Sequence, residues 1–252
     1  MPDLSGKAAI VTGCASGIGA ATLRRLVADG AQVLGTDMNA ADGAALCEEV
    51  GAHFAEQDVA DRALWSDIVN QAVSAFGGLN ILVNNAGTVS AVSIEETDDA
   101  TWDRIMNINL GGTMAGCRAA LPAMKAAGSG SIINIASTTA IAPLPSDPSY
   151  SASKAGVVAL TKSIATHCAK QGYPIRCNTV IPGATDTGIL THAESVTPGL
   201  KEAVAATSPM NRLADPAETA AAIAFLASDE CPYMTGTEMM VDGGMMSIHP
   251  GF

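Results

Sequence analysis

The 252-residue sequence is poor in basic residues, and this scarcity excludes one large class of partners. Lysine and arginine number 13 against 25 aspartates and glutamates, which gives a formal net charge of −12 at pH 7. Proteins that bind DNA or RNA need clustered positive charge to neutralise phosphates. We therefore expect no nucleic-acid partner.

Long apolar runs are also missing. The sequence contains no stretch of about 18 uninterrupted apolar residues, the length that a helix needs to cross a bilayer. Its first residues, MPDLSGKAAIVTG, lack the basic segment and long apolar segment of a secretory signal. We expect a cytoplasmic protein with no membrane partner.

Cysteine and histidine are too scattered to form a metal site or a Ser-His-Asp triad. The six cysteines include no CxxC pair, and the four histidines are equally dispersed. Reduced, buried thiols are the favoured interpretation. We expect no bound metal.

What the sequence does contain is an alternation of strand-like and helix-like segments. Its length suits one large domain over 1–252. Continuous apolar strands that alternate with helices indicate an α/β fold, with a parallel sheet covered by helices on both faces. Such sheets bind ligands at the carboxyl ends of their strands. The predicted strands are 8–11, 32–36, 80–84, 131–136, 175–181 and 238–242.

A glycine-rich turn between the first predicted strand and a helical segment indicates a dinucleotide site. Glycines permit a tight turn, a close approach to a pyrophosphate and close helix packing, while free amides at the helix start face the anion. The strand–turn–helix context makes the motif specific. Cofactor contacts are expected at Gly13, Ser16, Gly17, Ile18 and Gly19.

Asp37, at the end of the second predicted strand, favours NAD over NADP. A carboxylate there can accept hydrogen bonds from the adenosine ribose and repels a 2′-phosphate. Met38 and Asn39 follow it, and Ser16 is not basic either, so no cation is evident to neutralise the additional charge. Capping of the next helix is the structural alternative for Asp37.

Tyr150 and Lys154 are the candidate acid/base pair. The segment 150–171 predicts a helix, and a spacing of four places both side chains on one helical face. A nearby ammonium stabilises a phenolate, and a tyrosine pKa lowered from about 10 towards 7 suits proton exchange with an alcohol or a carbonyl. Since this spacing is common by chance, its context decides the assignment.

Ser137 and Asn109 complete the expected catalytic set. Ser137 follows the predicted strand 131–136 and can donate a hydrogen bond to a substrate oxygen. Asn109 lies within a predicted helix, where its amide can hold a water that relays protons through Lys154. Neither residue would be identified in isolation.

Together these residues resemble the short-chain dehydrogenase/reductase family over essentially the whole chain. The glycine turn is similar to the family's TGxxxGxG, and Asn109, Ser137, Tyr150 and Lys154 fall in the family's order and approximate spacing. The resemblance implies a single-domain Rossmann fold with a doubly wound, seven-stranded sheet. It also implies a nicotinamide cofactor, hydride exchange with a small-molecule alcohol or ketone, and usually a homotetramer.

The resemblance implies further cofactor contacts outside the glycine turn. The segment 84–87 is similar to the NNAG that braces the central strand, and 58–59 resembles the pair whose aspartate contacts the adenine. The segment after the strand at 175–181 resembles the one that holds the nicotinamide carboxamide. The contacts expected in addition to Asp37 are Met38, Asp58, Val59, Asn85, Ala86, Gly87, Tyr150, Lys154, Pro182, Gly183, Thr185 and Thr187.

Cys14 departs from the family pattern, which more often has glycine or alanine at this position. A thiol close to free helix amides can have a lowered pKa and redox reactivity. A small buried residue is the favoured interpretation.

The irregular segment 183–212, which carries two prolines and one short helical piece, is predicted to be a mobile lid. Together with the segment after Ser137 it is expected to wall the substrate pocket. Few basic groups occur there, which favours a neutral, fairly apolar substrate, and 170–176 resembles bacterial hydroxysteroid dehydrogenases. The expected wall residues are Ile141, Pro143, Leu144, Ile189 and Leu190.

Two other functions remain open. A 3-oxoacyl-thioester reductase typically uses NADPH and a basic docking patch, which Asp37 and the charge of −12 disfavour. A nucleotide-sensing regulator with an idle Rossmann core would be expected to lack Tyr150 or Lys154, and both are present.

Overall fold

Seven parallel strands form one sheet in the computed structural model, which describes residues 2–196 and 198–247. The strands are β1 (Ala8–Thr12), β2 (Gln32–Asp37), β3 (His53–Glu56), β4 (Ile81–Asn84), β5 (Gly130–Ile135), β6 (Ile175–Pro182) and β7 (Glu238–Val241). Their order in the sheet is β3-β2-β1-β4-β5-β6-β7. This topology confirms the predicted α/β class and the doubly wound, seven-stranded sheet.

Six of these strands match the predicted ones to within one residue at each end. The apolar pattern did not predict β3, because this four-residue edge strand has only two partly buried residues and no continuous apolar run. Only the family resemblance implied a seventh strand.

Helices cover both faces of the sheet. They are α1 (Gly17–Ala28), α2 (Ala40–Val50), α3 (Leu64–Phe76), α4 (Asp99–Met106), α5 (Thr113–Ala127), α6 (Pro148–Lys170), α7 (Gly188–Val196), α8 (Leu200–Ala205) and α9 (Pro216–Ala227). A π-helical turn (Asn107–Gly112) joins α4 to α5, and a 3-10 turn (Thr138–Ala140) follows β5. The predicted lid contains two short helices, α7 and α8, where the sequence indicated one.

The core consists of two apolar layers separated by the sheet. Because side chains alternate along a strand, Val11 packs with Leu23 of α1 on one face, while Ile10 packs with Trp65 of α3 on the other. All four side chains are at most 1% exposed, and burial of each contributes roughly 1.5–3 kcal/mol. Both faces are thus occupied by packing, which leaves the carboxyl ends of the strands for a ligand.

The helix that carries the predicted acid/base pair begins two residues before its predicted start. The side chain of Asp147 accepts a hydrogen bond from the Tyr150 amide and so caps α6, and Pro148 occupies the first turn, where its missing N–H is not needed.

Within the described part of the chain, no helix is both long and apolar enough to cross a membrane. The same residues contain no group of three or more side chains placed to bind a metal ion. All six cysteines are buried free thiols, as predicted.

Candidate active site

A cavity of about 650 Å³ opens at the carboxyl ends of the strands. Its lining comes from the segments that follow β1 to β6, which is the position expected for a ligand of a doubly wound sheet. The predicted cofactor residues that line it are Gly13, Ser16, Gly17, Ile18, Asp37, Met38, Asp58, Val59, Asn85, Ala86, Gly87, Tyr150, Lys154, Pro182, Gly183, Thr185 and Thr187. Of the predicted set, Gly19 and Asn109 lie behind this lining.

The glycine turn is shaped by close backbone contacts. Gly13 has a φ of +66°, a left-handed conformation that side chains disfavour. A Cβ on Gly19 would lie 1.9 Å from the Gly13 carbonyl oxygen. Helix α1 can therefore approach the turn this closely only with glycine at position 19. Ser16 makes no capping hydrogen bond to α1, which leaves the amides of its first turn for an anion.

Asn85 fixes the loop after β4 to the glycine turn. Its side-chain amide donates to the carbonyl oxygens of Thr12 (2.9 Å) and Gly13 (3.1 Å). In return, the Thr12 hydroxyl accepts hydrogen bonds from the backbone amides of Asn85 and Ala86, each at 3.0 Å. Two neighbouring strand ends, β1 and β4, are thus held together at the centre of the cavity.

Asp37 lines the cavity and supports the turn from beneath. Its Oδ2 accepts a hydrogen bond from the Ala15 amide and its Oδ1 accepts one from the Asn39 amide, both at 2.9 Å. Asn39, not Asp37, caps helix α2, so the structural alternative considered for Asp37 is wrong. Met38 beside it is 64% exposed and supplies no charge.

Gln57 is a lining residue that the sequence did not reveal. Its side chain is buried, yet among the described residues neither its amide nitrogen nor its carbonyl oxygen has a hydrogen-bond partner. An unsatisfied buried amide costs about 1–3 kcal/mol, so this one suits a polar ligand at the Asp37 end. With the glycine turn and the free helix amides, it shows that the cavity fits a dinucleotide.

The predicted acid/base pair lies at the other end of the cavity. Lys154 Nζ is 5.7 Å from the centre of the Tyr150 ring, so both side chains do lie on one face of α6. Lys154 is 4% exposed, and its Nζ donates to the carbonyl oxygen of Ile135 at 2.9 Å. Burial lowers the pKa of Lys154 to about 8.

The pKa of Tyr150 is raised, which is opposite to the expected direction. Burial is the main cause, because it disfavours the phenolate, and the charge of Asp147 adds to it. The hydroxyl of Ser137 acts in the opposite direction and lowers the pKa of Tyr150. The four-residue spacing predicts that the Lys154 ammonium is near Tyr150, but it indicates neither the burial of Tyr150 nor the carboxylate of Asp147.

Ser137 and Asn109 are held by hydrogen bonds to different parts of the site. Ser137 lines the cavity after β5, and its hydroxyl accepts a hydrogen bond from the Thr139 amide at 3.2 Å. Asn109 lies in the π-helical turn, whereas the sequence predicted only that it lies in a helix. Its Oδ1 accepts from the Thr88 amide, and its Nδ2 donates to the Thr88 carbonyl and to Ser153.

Cys14 is not the reactive thiol that its position suggested. It is fully buried, and a hydrogen bond with Cys47 together with burial raises its pKa. The favoured interpretation, a small buried residue, is confirmed, because the side chain points into the core, where both sulfurs pack against Gly35. The alternative of a lowered pKa is wrong.

The substrate wall differs in part from its prediction. Leu190 lines the cavity, whereas Ile141, Pro143 and Leu144 are exposed and lie outside the lining. The side chain of Ile189 falls outside the described part of the structure. Lining residues that the sequence motifs did not include are Gln57, Thr88, Val89, Ile108, Ile135, Ala136, Gly188 and Val204. Gln57 and Ala136 directly follow β3 and β5, so for these two the position after a strand was the available signal.

Comparison with known proteins identifies the family. A family model described as enoyl-(acyl carrier protein) reductase matches residues 13–246. A 3-alpha-(or 20-beta)-hydroxysteroid dehydrogenase of Mycobacterium bovis is 40% identical over 97% of this chain and 91% of its own. The chain belongs to the short-chain dehydrogenase/reductase family. This short-chain dehydrogenase/reductase is therefore an oxidoreductase, and its family uses a nicotinamide dinucleotide.

Two other relatives of this short-chain dehydrogenase/reductase are similar over nearly their whole length. A 3beta-hydroxysteroid dehydrogenase of Eggerthella lenta is 40% identical over 99% of this chain and 97% of its own. A 2,5-dichloro-2,5-cyclohexadiene-1,4-diol dehydrogenase of Sphingobium indicum is 37% identical over 96% of each chain. All three relatives carry names of dehydrogenases that act on ring-bearing alcohols.

Proposed function

We propose that the protein is an NAD-dependent dehydrogenase that interconverts a cyclic, apolar secondary alcohol and its ketone, with Tyr150 as the acid/base. The observation that carries this proposal is that Ser137, Tyr150 and Lys154 line the same cavity as the glycine turn. A hydride acceptor and a proton acceptor are thereby offered to one substrate carbon and its oxygen.

The proposed roles follow from what each side chain can do. In alcohol oxidation the nicotinamide ring, when bound, accepts the hydride. Tyr150, as the phenolate, takes the hydroxyl proton and becomes the phenol, and Ser137 donates a hydrogen bond to the substrate oxygen. Lys154 Nζ lies 5.7 Å from the centre of the Tyr150 ring, where a positive charge favours the phenolate.

Asn109 is proposed to complete a proton relay with Lys154. A Cβ on Gly87 would lie 3.2 Å from Asn109 Oδ1 and 3.3 Å from Lys154 Nζ, so the missing side chain leaves a gap between these two atoms. A water in this gap would have an acceptor on one side and a donor on the other. The carboxamide of Asn109 cannot swing away, because both of its N–H groups are engaged.

The choice of NAD over NADP is supported by Asp37. Each of its oxygens accepts one backbone amide and keeps a lone pair for a ribose hydroxyl. A 2′-phosphate beside it would add like-charge repulsion of about 4 kcal/mol per charge pair at 4 Å in a surface-like dielectric. Among the lining residues the single cation is Lys154, which is at the opposite end.

Cofactor preference tests this part of the proposal. Asp37→Asn should reduce the preference for NAD over NADP, measured as the ratio of kcat/KM values, by at least about tenfold. Asp42→Asn removes an exposed carboxylate of α2 that does not line the cavity, and it should leave the ratio unchanged. A wild-type enzyme that prefers NADP would contradict the role given to Asp37.

The substrate class is supported by the lining and by the relatives. Leu190, Val204, Val89 and Ile108 present apolar groups to the cavity, and the named relatives act on steroid and cyclohexadiene alcohols. A panel of steroid alcohols, cyclic diols and linear secondary alcohols, assayed with NAD by NADH absorbance, should give the highest kcat/KM with ring substrates.

The description of the matching family model favours one second candidate, a reductase of carrier-bound acyl thioesters. The same panel should therefore include an enoyl and a 3-oxoacyl thioester with NADH and NADPH. Turnover of a thioester above that of every ring alcohol would replace the proposed substrate class.

The acid/base role is tested by Tyr150→Phe. We expect a loss of at least about 10²-fold in kcat, because general acid/base catalysis contributes that much, with NAD still bound. Near wild-type turnover of this variant would remove Tyr150 from the mechanism whichever substrate is found.

We further propose a homotetramer, as the family resemblance implies, that is cytoplasmic and has a mobile lid at 183–212, as the sequence pattern indicates. Light scattering should give the mass of four chains, and cell fractionation should place the protein in the soluble fraction. Amide exchange in 183–212 should slow when NAD and a substrate analogue bind.

A further inference from the structure

A buried carboxylate lies between the two segments that enclose the reacting end of the cavity. Asp147 is 4% exposed and stands immediately before α6, the helix of Tyr150 and Lys154. On its other side is the loop after β4, whose residues 85–89 line the cavity. This carboxylate caps the helix, and its charge raises the pKa of Tyr150.

Asp147 makes more hydrogen bonds than a helix cap requires. A cap needs one acceptor for an amide of the first turn, and Oδ1 supplies it to the Tyr150 amide at 3.1 Å. Oδ2 instead accepts from the backbone amides of Ser90 (2.8 Å) and Ala91 (2.9 Å), both in the β4 loop. The hydroxyls of Ser90 and Ser149 also donate to Oδ1.

The β4 loop depends on these contacts for its conformation. Ala91 has a φ of +54°, a left-handed value that a non-glycine residue adopts at a cost of order 1–3 kcal/mol. Its amide is one of the two held by Oδ2, so the carboxylate offsets this strain. Without Oδ2 the loop would lose the contacts that stabilise the turn at Ser90 and Ala91.

The loop is tied to α6 at a second point, nearer the substrate. Thr88 exchanges two hydrogen bonds with Asn109, Asn109 donates to the Ser153 hydroxyl, and that hydroxyl donates to the carbonyl oxygen of Tyr150. Movement at Ser90 is therefore transmitted to Thr88 and Asn109, the latter being the proposed relay residue. Asp147 and Asn109 together hold the loop at both ends of its contact with α6.

The charge of Asp147 also reaches the phenol. Its donors in the described part of the chain are all neutral amides and hydroxyls. Among the described residues, the charge of Asp147, immediately before α6, acts on Tyr150, and Lys154 Nζ lies 5.7 Å from the centre of its ring. Burial opposes ionisation of Asp147, but the bonds from Ser90, Ala91 and Tyr150 keep its pKa below the usual value.

We propose that Asp147 is a positioning residue, which holds the β4 loop against the Tyr150 end of α6 and sets the electrostatic environment of the phenol. The second part rests on the proposed acid/base role of Tyr150. The first part concerns only the folded chain and holds for any substrate.

Asp147→Ser separates this role from helix capping. Serine is a good N-cap but is neutral and shorter, so it can serve the Tyr150 amide and not Ser90 and Ala91. Asp98→Ser is the matched control, because Asp98 caps α4 through a single bond to the Thr101 amide and is exposed. Ser90→Ala, which removes one hydroxyl contact, is the milder variant should Asp147→Ser fold poorly.

Amide exchange of the cofactor-free protein is the first readout. Asp147→Ser should speed exchange at Ser90 and Ala91 by at least about tenfold, since each loses a charge-assisted hydrogen bond, while Asp98→Ser leaves both unchanged. Ser90→Ala should produce a smaller increase at the same two amides. Exchange at the wild-type rate at Ser90 and Ala91 in both Asp147→Ser and Ser90→Ala would overturn the positioning role.

Kinetics are the second readout. Asp147→Ser removes the negative charge beside Tyr150, so the phenol should ionise at lower pH. The acidic limb of the kcat profile for alcohol oxidation should therefore move to lower pH in this variant. We also expect kcat to fall at least about tenfold while the Kd of NAD stays within about twofold. If the acidic limb of the kcat profile does not move, the proposed influence of the Asp147 charge on Tyr150 is overturned. If Tyr150→Phe were active, the proposed function would fail, but the exchange result would stand.

Discussion

Gly19→Ala tests the close approach between the glycine turn and α1. The added Cβ would lie 1.9 Å from the Gly13 carbonyl oxygen and 2.5 Å from Asn85 Nδ2, whereas real Cβ atoms essentially never come within 3.0 Å of another heavy atom. The turn and the helix must separate by about 1 Å, more than packed interiors absorb without loss. Asn85 then loses its bonds to the Thr12 and Gly13 carbonyls.

The magnitude follows from those two hydrogen bonds. Each contributes about 0.5–1.5 kcal/mol, and unsatisfied partners increase the cost. We expect the losses in unfolding free energy and in NAD binding free energy to total at least about 2 kcal/mol. If all of it appeared in binding, Kd would rise about 30-fold.

Thermal or urea unfolding and calorimetric NAD titration together measure this total. Gly188→Ala is the matched control, because Gly188 also lines the cavity and a Cβ there meets no described atom within 4 Å. It should leave both quantities within about 0.5 kcal/mol of wild type. Wild-type stability combined with wild-type NAD affinity in Gly19→Ala would refute the reasoning.

Three further predictions concern the same end of the sheet. The pKa of Lys154 is about 8 in the folded protein and near 10.4 in the unfolded chain. The unfolding free energy of the wild type should therefore rise relative to that of Lys154→Met between pH 8 and 10.5, by up to about 3 kcal/mol. A difference that does not change with pH would contradict the burial of the ammonium. Gly87→Ala should fill the gap between Asn109 and Lys154 and lower kcat at least about tenfold with NAD affinity little changed, so unchanged kcat would argue against a relay there. Because all six thiols are buried, a thiol reagent should label fewer than one cysteine per native chain and all six after unfolding, and fast native labelling at Cys14 would revive its redox role.

Much of the fold could be predicted because its signals are local. Each buried strand is an apolar run, and the glycine turn lies between a strand and a helix, so one stretch of sequence carries its own evidence. The sequence pattern did not predict β3, because a partly exposed edge strand does not need a continuous apolar run. The π-helical turn at Asn109 escaped because it differs from an α-helix by one added residue in a turn, which periodicity does not resolve.

The candidate site was less predictable where its properties depend on distant groups. The direction of the Tyr150 pKa shift depends on burial and on Asp147, and that of Cys14 in the glycine turn depends on Cys47 in α2. Gln57 belongs to no motif, and it becomes notable only because its buried amide has no partner. Such features arise from packing, so a pattern along the chain cannot contain them.

The strand order has a consequence for how the enzyme becomes active during synthesis. β1 pairs with β2 and β4, so the half of the sheet that holds the glycine turn can assemble from roughly the first third of the chain. Tyr150 and the segment after β6 emerge from the ribosome later, and β7 pairs last in sequence. Long-range parallel pairing is slow, because loop closure precedes its stabilising contacts. A nascent chain should therefore acquire a nucleotide-binding surface before it acquires catalysis, and binding there would favour completion of the fold.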